Sequence, residues 1–245
     1  MPRTLRLVVE YDGTGFAGWQ RQAGQATVQG WLEKAFHAMT GQEVPVRGAG
    51  RTDAGVHAQG QVASVEIASH IPTLGFLRGL NTFLPPEIAV LEVSDMPAGF
   101  DARHHARGKI YRYQVWNHPV RSPRFARYSW HVYDPLDTHP MREAAQVLLG
   151  EHDFRAFRSS DCDRTNTVRV IRRLEVRRDG TLLTFEVEGT AFLRNMVRIL
   201  AGTLVAVGKG KLTAPEVAAL LESGDRTKAG VTAPPCGLTL VRVIY

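Results

Sequence analysis

The sequence predicts an α+β protein made of two halves, with a largely antiparallel sheet flanked by helices. Three observations lead there. Segments with strand alternation and segments with helical spacing are interspersed along all 245 residues. The strand segments alternate apolar and polar residues, as half-solvated antiparallel strands do, and lack the uniformly apolar runs of a buried parallel sheet. TVRVIRRLEV and TLLTFEVEG also flank Asp179-Gly180, a strong hairpin signal.

Each element follows from its own pattern. LRLVVEY places Leu5, Leu7, Val9 and Tyr11 on one face, which predicts a strand. From Thr27 onward, Val28, Leu32, Phe36 and Met39 recur at helical spacing and predict an amphipathic helix. GQVASVEI (60–67) is a strand. LGFLRGLNTFL (74–84) is a helix ended by Pro85-Pro86, since proline has no N–H to give and clashes with the preceding turn. IAVLEVSDM (88–96) and KIYRYQVWN (109–117) are strands, and MREAAQVLLG (141–150) is a helix with a glycine stop.

After the hairpin, AFLRNMVRILAGTLVAVG carries Leu193, Val197, Leu200, Leu204 and Val207 in one stripe, which predicts a helix packed on a sheet. Thr213 and Glu216 spell a capping box, with Pro215 in the first turn. CGLTLVRVIY closes the chain as a strand. The halves divide as residues 1–104, carrying the loop around Asp53, and 105–245. No internal repeat or low-complexity tract interrupts them.

Composition bounds the function. Thirty Lys and Arg against 24 Asp and Glu give a net charge of +6. Such an excess suits a polyanion partner, nucleic acid or a membrane surface, and equally a soluble protein that runs basic. Only Cys162 and Cys236 are present, without a CxxC pair, so neither a disulfide framework nor a cysteine zinc site is expected. MPRTLRLVVEYDG has no long apolar run and does not read as a signal peptide. ILAGTLVAV (199–207) falls short of the ~20 residues that span a bilayer. A soluble, cytoplasmic protein without a membrane partner is expected.

GTGFAG (13–18) spells G-x-G-x-x-G after a strand, and Glu33 lies near the distance at which a dinucleotide site carries its acidic residue. That site needs a helix to open at the glycines, so that its N-terminus can hold a pyrophosphate. Here WQRQAGQAT intervenes. A nicotinamide-dependent oxidoreductase is therefore the weakest of the readings, and a glycine-rich loop the stronger one.

GAGRTDAGVHAQGQV (48–62) fits neither helix nor strand. A lone aspartate in a loop is most often a turn former. Around Asp53, however, Gly50 and Gly55 let the backbone come close to a ligand. Arg51 and arginines elsewhere can keep the carboxylate ionised, ready to act as nucleophile or base. No second acidic residue in the loop makes a glycosidase pair. No metal-binding motif occurs, and the adjacent His104 and His105 would point apart on a strand.

The loop and its companions resemble the tRNA pseudouridine synthase A family, whose type member modifies the anticodon stem-loop. YDGTGFAGWQRQ (11–22), GAGRTDAGVHAQGQV, FDARHHARGKIYRY (100–113), CDRTNTVR (162–169), FLRNMVRILAG (192–202) and CGLTLVRV (236–243) match in order over nearly the whole chain. The stretch from His118 to Asp134 carries no usable motif. The resemblance implies two α+β halves sharing the sheet, with the active-site cleft between them. It implies an isomerase that detaches uracil from C1′ and rejoins it through C5 at uridines 38, 39 and 40 of tRNA, without cofactor or metal. Asp53 would be the catalytic aspartate, attacking C1′ or taking a proton from C2′. Tyr111 would stack on the uracil, Arg198 would pair with the aspartate, and Arg51 would contact the RNA backbone or brace the loop. A homodimer is also implied.

The target base must leave its stack and be held on an aromatic face. On their own terms, Tyr111 and Tyr113 on one strand face read as sheet packing, Arg198 off the apolar stripe as solvated surface, and His57 as bracing or RNA contact. Arg103, Arg107 and Lys109, then Arg121, Arg124 and Arg127, then Arg169, Arg172 and Arg173 form basic clusters interleaved with Phe125, Tyr128 and Trp130. They read as phosphate contacts or as solvated strand faces. The competing function is a non-catalytic tRNA-binding or folding module.

Overall fold

The computed structural model of the chain describes residues 2–160 and 165–245, so Cys162 and the start of CDRTNTVR lie outside the described residues. In chain order these residues form β1 (Arg3–Tyr11), α1 (Val28–Thr40), β2 (Arg47–Gly48), β3 (His57–Ile67), α2 (Thr73–Phe83) and β4 (Ile88–Met96). Then follow β5 (Gly108–Asn117), β6 (Trp130–Val132), α3 (Thr138–Val147), β7 (Gly150–Asp153), β8 (Val168–Asp179), β9 (Leu182–Gly189), α4 (Met196–Gly208), α5 (Ala214–Ser223) and β10 (Leu238–Ile244). The α+β class read from the sequence holds, with mostly antiparallel ladders. Two compact units arise: Met1–Arg107 with Leu240–Tyr245, and Gly108–Thr239.

In the first unit the strand order is β4-β1-β3-β10, with β2 on β3. β1 pairs antiparallel with both β3 and β4, Leu7 facing Ala63 on one side and Val93 on the other. The core holds Leu5, Leu7 and Val9 together with Leu32, Phe36, Phe76 and Leu80 from α1 and α2, all fully buried. α1 starts where Thr27 accepts a hydrogen bond from Gly30 N, and stops at Gly41, whose φ of 70° closes the helix as only glycine does cheaply. β3 begins at His57, ahead of the predicted Gly60, which shortens the loop around Asp53.

In the second unit the order is β5-β9-β8-β7, and β6 adds a parallel pairing to β5. The β8–β9 hairpin forms as predicted, with its turn one residue later: Asp179 pairs with Leu182, and Gly180 takes the positive φ of 54°. α3 begins before the predicted Met141, because Asp137 caps His139 N, and it ends before Gly150, which opens β7 instead. α4 begins at Met196, later than the predicted Ala191, because Asn195 sits at a left-handed φ of 60° and cannot continue a helix. The predicted stripe on α4 is too narrow: Met196, Ile199, Ala201 and Val205 are buried as well, so the helix is enclosed nearly all round. The capping box of Thr213 and Glu216 at α5 is formed in full.

Candidate active site

Asp53 sits half-buried in the loop that links β2 to β3, and this loop is held by the GTGFAGW segment. Trp19 N donates to Thr52 O at 3.1 Å, Gly55 N to Phe16 O at 3.3 Å, and Val56 N to Asp53 O at 3.1 Å. Gly18 lies so close that a Cβ there would meet Thr52 O at 2.5 Å and the Asp53 carbonyl carbon at 3.1 Å, and its φ of 94° is itself a glycine conformation. A Cβ on Gly13 would strike the Val56 carbonyl. The glycines that mimic a dinucleotide fingerprint are thus the bed on which the Asp53 loop lies. Gly13–Gly15 is a single 3-10 turn, and α1 opens only at Val28, where its first N–H groups are already spent on the segment's own carbonyls: Val28 N donates to Gly18 O at 3.2 Å and Gln29 N to Trp19 O at 3.0 Å.

Beneath the loop, the hydroxyls of Tyr11 and Thr52 lie 2.8 Å apart, and Gln61 Nε2 donates to Gly50 O at 2.9 Å. Burial pushes the Tyr11 phenol up to about 12, against smaller lowering by its hydrogen bonds to Thr52 and Gln61. His57 is buried and braces the loop's far end: Gly13 N donates to its Nδ1 at 3.0 Å, and Asp12 Oδ1 lies 3.2 Å from the same atom. Arg51 is exposed, with its Nε on Gln20 Oε1 at 3.1 Å.

In the second unit, Tyr111 is buried on β5, its ring edge-on to Phe192 at 5.2 Å and 84°. Tyr113, two residues along the same face, is fully buried and donates to Pro234 O at 2.8 Å, which fits the packing role read for it. Its hydroxyl is pushed far above the ordinary tyrosine range by burial and by the neighbouring Cys236 thiol, while Arg198 pulls the other way. Arg198 is not the solvated side chain that its position off the apolar stripe suggests. It is half-buried, with Nε donating to Ala233 O at 2.7 Å and Nη1 to Asn195 Oδ1 at 2.8 Å. Ala233 N donates back to Arg198 O at 3.2 Å. Two fixed donors set the plane of the guanidinium, which is what bidentate recognition of an anion needs.

The basic clusters separate. Arg172 faces Glu188 at 3.8 Å, and Arg173 bridges Glu186 at 2.7 Å and Glu175 at 3.3 Å. Arg112 joins the same Glu186 at 3.1 Å, so this strand face is laced with ion pairs rather than open to phosphate. Arg121, Arg124 and Arg127 are exposed, with Tyr128 beside them, whereas Phe125 stacks on Trp116 at 4.9 Å. His104 and His105 lie in a turn, not a strand; His105 stacks on Phe100 and His104 faces Asp101. Among the described residues no group of three His, Cys, Asp or Glu side chains is placed to hold a metal ion, and no helix is long and apolar enough to cross a membrane.

Comparison with known proteins follows the same residues. The tRNA pseudouridine synthase family model matches residues 7–104 and 144–245, leaving out the interval that holds Tyr111 and the motif-free stretch. A tRNA pseudouridine synthase A of Pelobacter propionicus is 48% identical over 243 residues, covering 99% of this chain and 100% of that protein. One from Myxococcus xanthus is 49% identical over 246 residues, covering 100% and 92%. One from a Thermoanaerobacter species is 44% identical, covering 99% and 100%. The chain is therefore an isomerase of the pseudouridine synthase class. Within that class it belongs to the tRNA pseudouridine synthase family. The oxidoreductase reading of GTGFAG falls with this assignment.

Proposed function

We propose that the protein converts uridine to pseudouridine at positions 38, 39 and 40 in the tRNA anticodon stem-loop, with Asp53 as the catalytic carboxylate. The observation that carries this is the bed under Asp53: Trp19 N holds the Thr52 carbonyl before it, Phe16 O holds Gly55 N after it, and Gly18 lies closely against the peptide between them. That bed lies in a chain matched end to end by proteins named tRNA pseudouridine synthase A.

The reaction breaks N1–C1′, forms C5–C1′, moves the C5 proton off the ring and returns a proton to N1. Asp53 starts it by attacking C1′ or by taking a proton from C2′; the first route passes through an ester on the carboxylate, the second does not. Tyr111 supplies a buried aromatic surface for the flipped uracil and a hydroxyl for the C5 proton. Arg198, its guanidinium plane already set, balances the carboxylate, and Arg51 binds the RNA beside it. Exposed Arg121, Arg124 and Arg127 supply phosphate contacts that set affinity and salt sensitivity but not sequence. We further infer a cytoplasmic homodimer that uses no cofactor or metal.

The test is to incubate an unmodified tRNA bearing uridine at 38, 39 and 40 with the enzyme in EDTA and to map pseudouridine by carbodiimide adducts and primer extension. Stops at those positions, absent from transcripts with cytidine there, are expected. Binding of tRNA with no stops anywhere would leave a non-catalytic folding module in its place.

A further inference from the structure

Glu33 is a carboxylate on the buried side of α1, only 7% exposed, and the proposed chemistry does not use it. Its Oε1 accepts from Val46 N at 3.2 Å and from Gln29 Nε2 at 2.9 Å. Gln29 Oε1 accepts from Gln20 Nε2 at 2.8 Å and from Arg21 N at 2.9 Å. Gln20 Oε1 accepts from Arg51 Nε at 3.1 Å. Glu33 Oε2 faces Arg21 Nη1 at 3.0 Å as an ion pair rather than a directed hydrogen bond.

The polarity of this chain is forced. Arginine only donates and a carboxylate only accepts, so a relay that begins on Arg51 and ends on Glu33 permits one orientation for each amide between them. Turning either glutamine over would set N–H against N–H or oxygen against oxygen. Both outer ends are cations at the surface: Arg51 is exposed, and the Arg21 side chain is 67% exposed. Arg51 spends only its Nε, and its two Nη groups make no hydrogen bond among the described residues. Burying a carboxylate is costly unless it is well partnered, and an exposed arginine is ordinarily free to wander. Here the buried charge holds two surface arginines in one frame, Arg21 and Arg51, the latter two residues before Asp53 in the chain.

We propose that Glu33, Gln29 and Gln20 are positioning residues that hold Arg21 and Arg51 to take a backbone phosphate of the tRNA next to the target nucleotide. The ligand class is an RNA phosphodiester. The inference rests on Asp53 being the catalytic carboxylate, which places that phosphate beside the reacting uridine. Preorganised cations lose less freedom on binding, so the gain falls on affinity and not on the chemical step.

The experiment is a double-mutant cycle of Gln20→Leu and Arg51→Leu, read as kcat, KM and the salt dependence of tRNA binding. Gln20→Leu is expected to raise KM about tenfold at constant kcat and to flatten the log-log salt slope by up to about one phosphate contact. In the Arg51→Leu background the same change is expected to add little, because Gln20 then has no guanidinium to hold. Glu33→Gln, which keeps the shape but removes the charge holding Arg21, should give the same KM shift. It serves as the second probe if Gln20→Leu lowers the melting temperature. Additive effects of the two changes, an unmoved salt slope, or a loss confined to kcat would overturn the proposal. Asp53→Ala in the same assay separates the two ideas: turnover retained there would remove Asp53 from the chemistry, while the relay would still be judged on tRNA binding.

Discussion

The Tyr11 hydroxyl on β1 lies 2.8 Å from the Thr52 hydroxyl on the loop, so the residue before Asp53 is tied directly to the sheet. Both partners are buried, and so the bond cannot be replaced by water at no cost. Tyr11→Phe is expected to destabilise the protein by about 1 kcal/mol and to lower kcat more than it raises KM. Equal stability and kcat in chemical denaturation and turnover assays would show that the bond is idle.

The same tyrosine makes a pH prediction. Burial holds its phenol near 12 instead of 10.0, so the folded state keeps the proton longer than the unfolded chain. Its contribution is intact below pH 10 and is lost as pH rises from there to about 12. The loss amounts to roughly 3 kcal/mol at the top of that window. Tyr11→Phe should flatten this limb of the stability curve, measured by urea unfolding between pH 9.5 and 11.5 (about half a unit outside and inside the window). An unchanged slope would contradict the burial argument.

Gly18→Ala tests the bed of the loop. The new Cβ would sit 2.5 Å from Thr52 O, at a φ of 94° that alanine adopts only under strain. The expected result is a cost of about 2 kcal/mol or more and a loss of turnover well beyond what stability explains. Gly15→Ala has open space around it and serves as the control that should change little.

Tyr111 and Tyr113 should separate by function although they share a strand face. Tyr113→Phe removes a bond to Pro234 O and should cost about 1 kcal/mol in stability. Tyr111→Phe keeps the ring against Phe192 and should leave tRNA affinity nearly intact while kcat falls about 100-fold. Wild-type turnover for Tyr111→Phe would take the C5 proton away from its hydroxyl.

Asp101 organises the turn after Phe100 by accepting from Arg103 N at 2.8 Å and His104 N at 2.9 Å. Burial alone would raise its pKa, but these two N–H groups, with His104 and Arg47 nearby, hold the carboxyl below its ordinary 3.8. A depressed carboxylate stabilises above its unfolded pKa and stops doing so as pH falls through the folded value. Amide exchange at Arg103 and His104 should therefore accelerate selectively below about pH 3.8, and in Asp101→Ala already at neutral pH.

Much of this was legible in the sequence, for identifiable reasons. Strand alternation in β1, β4 and β5, the hairpin signal at Asp179-Gly180 and the capping box at Thr213 are local signals; each element forms, the hairpin with its turn one residue later. The apolar pattern does not mark the start of α4: Leu193 continues the stripe, while Asn195 turns left-handed, and a stripe carries no record of φ. The short strands β2, β6 and β7 exist through pairing with distant partners, which no local pattern reports. At the site, Asp53 stood out by its glycines. The role of Gly18 depends on how closely two loops approach, and that of Glu33 on hydrogen bonds from residues far apart in sequence. In the sequence, Glu33 carries only a false dinucleotide signal.

The most direct measurement of the central claim is tritium release from C5-labelled uridine in unmodified tRNA, comparing wild type with Asp53→Ala. The account predicts release by the wild type and none by the variant, with tRNA binding retained by both. Equal release by the two proteins would contradict it and place the chemistry on another residue.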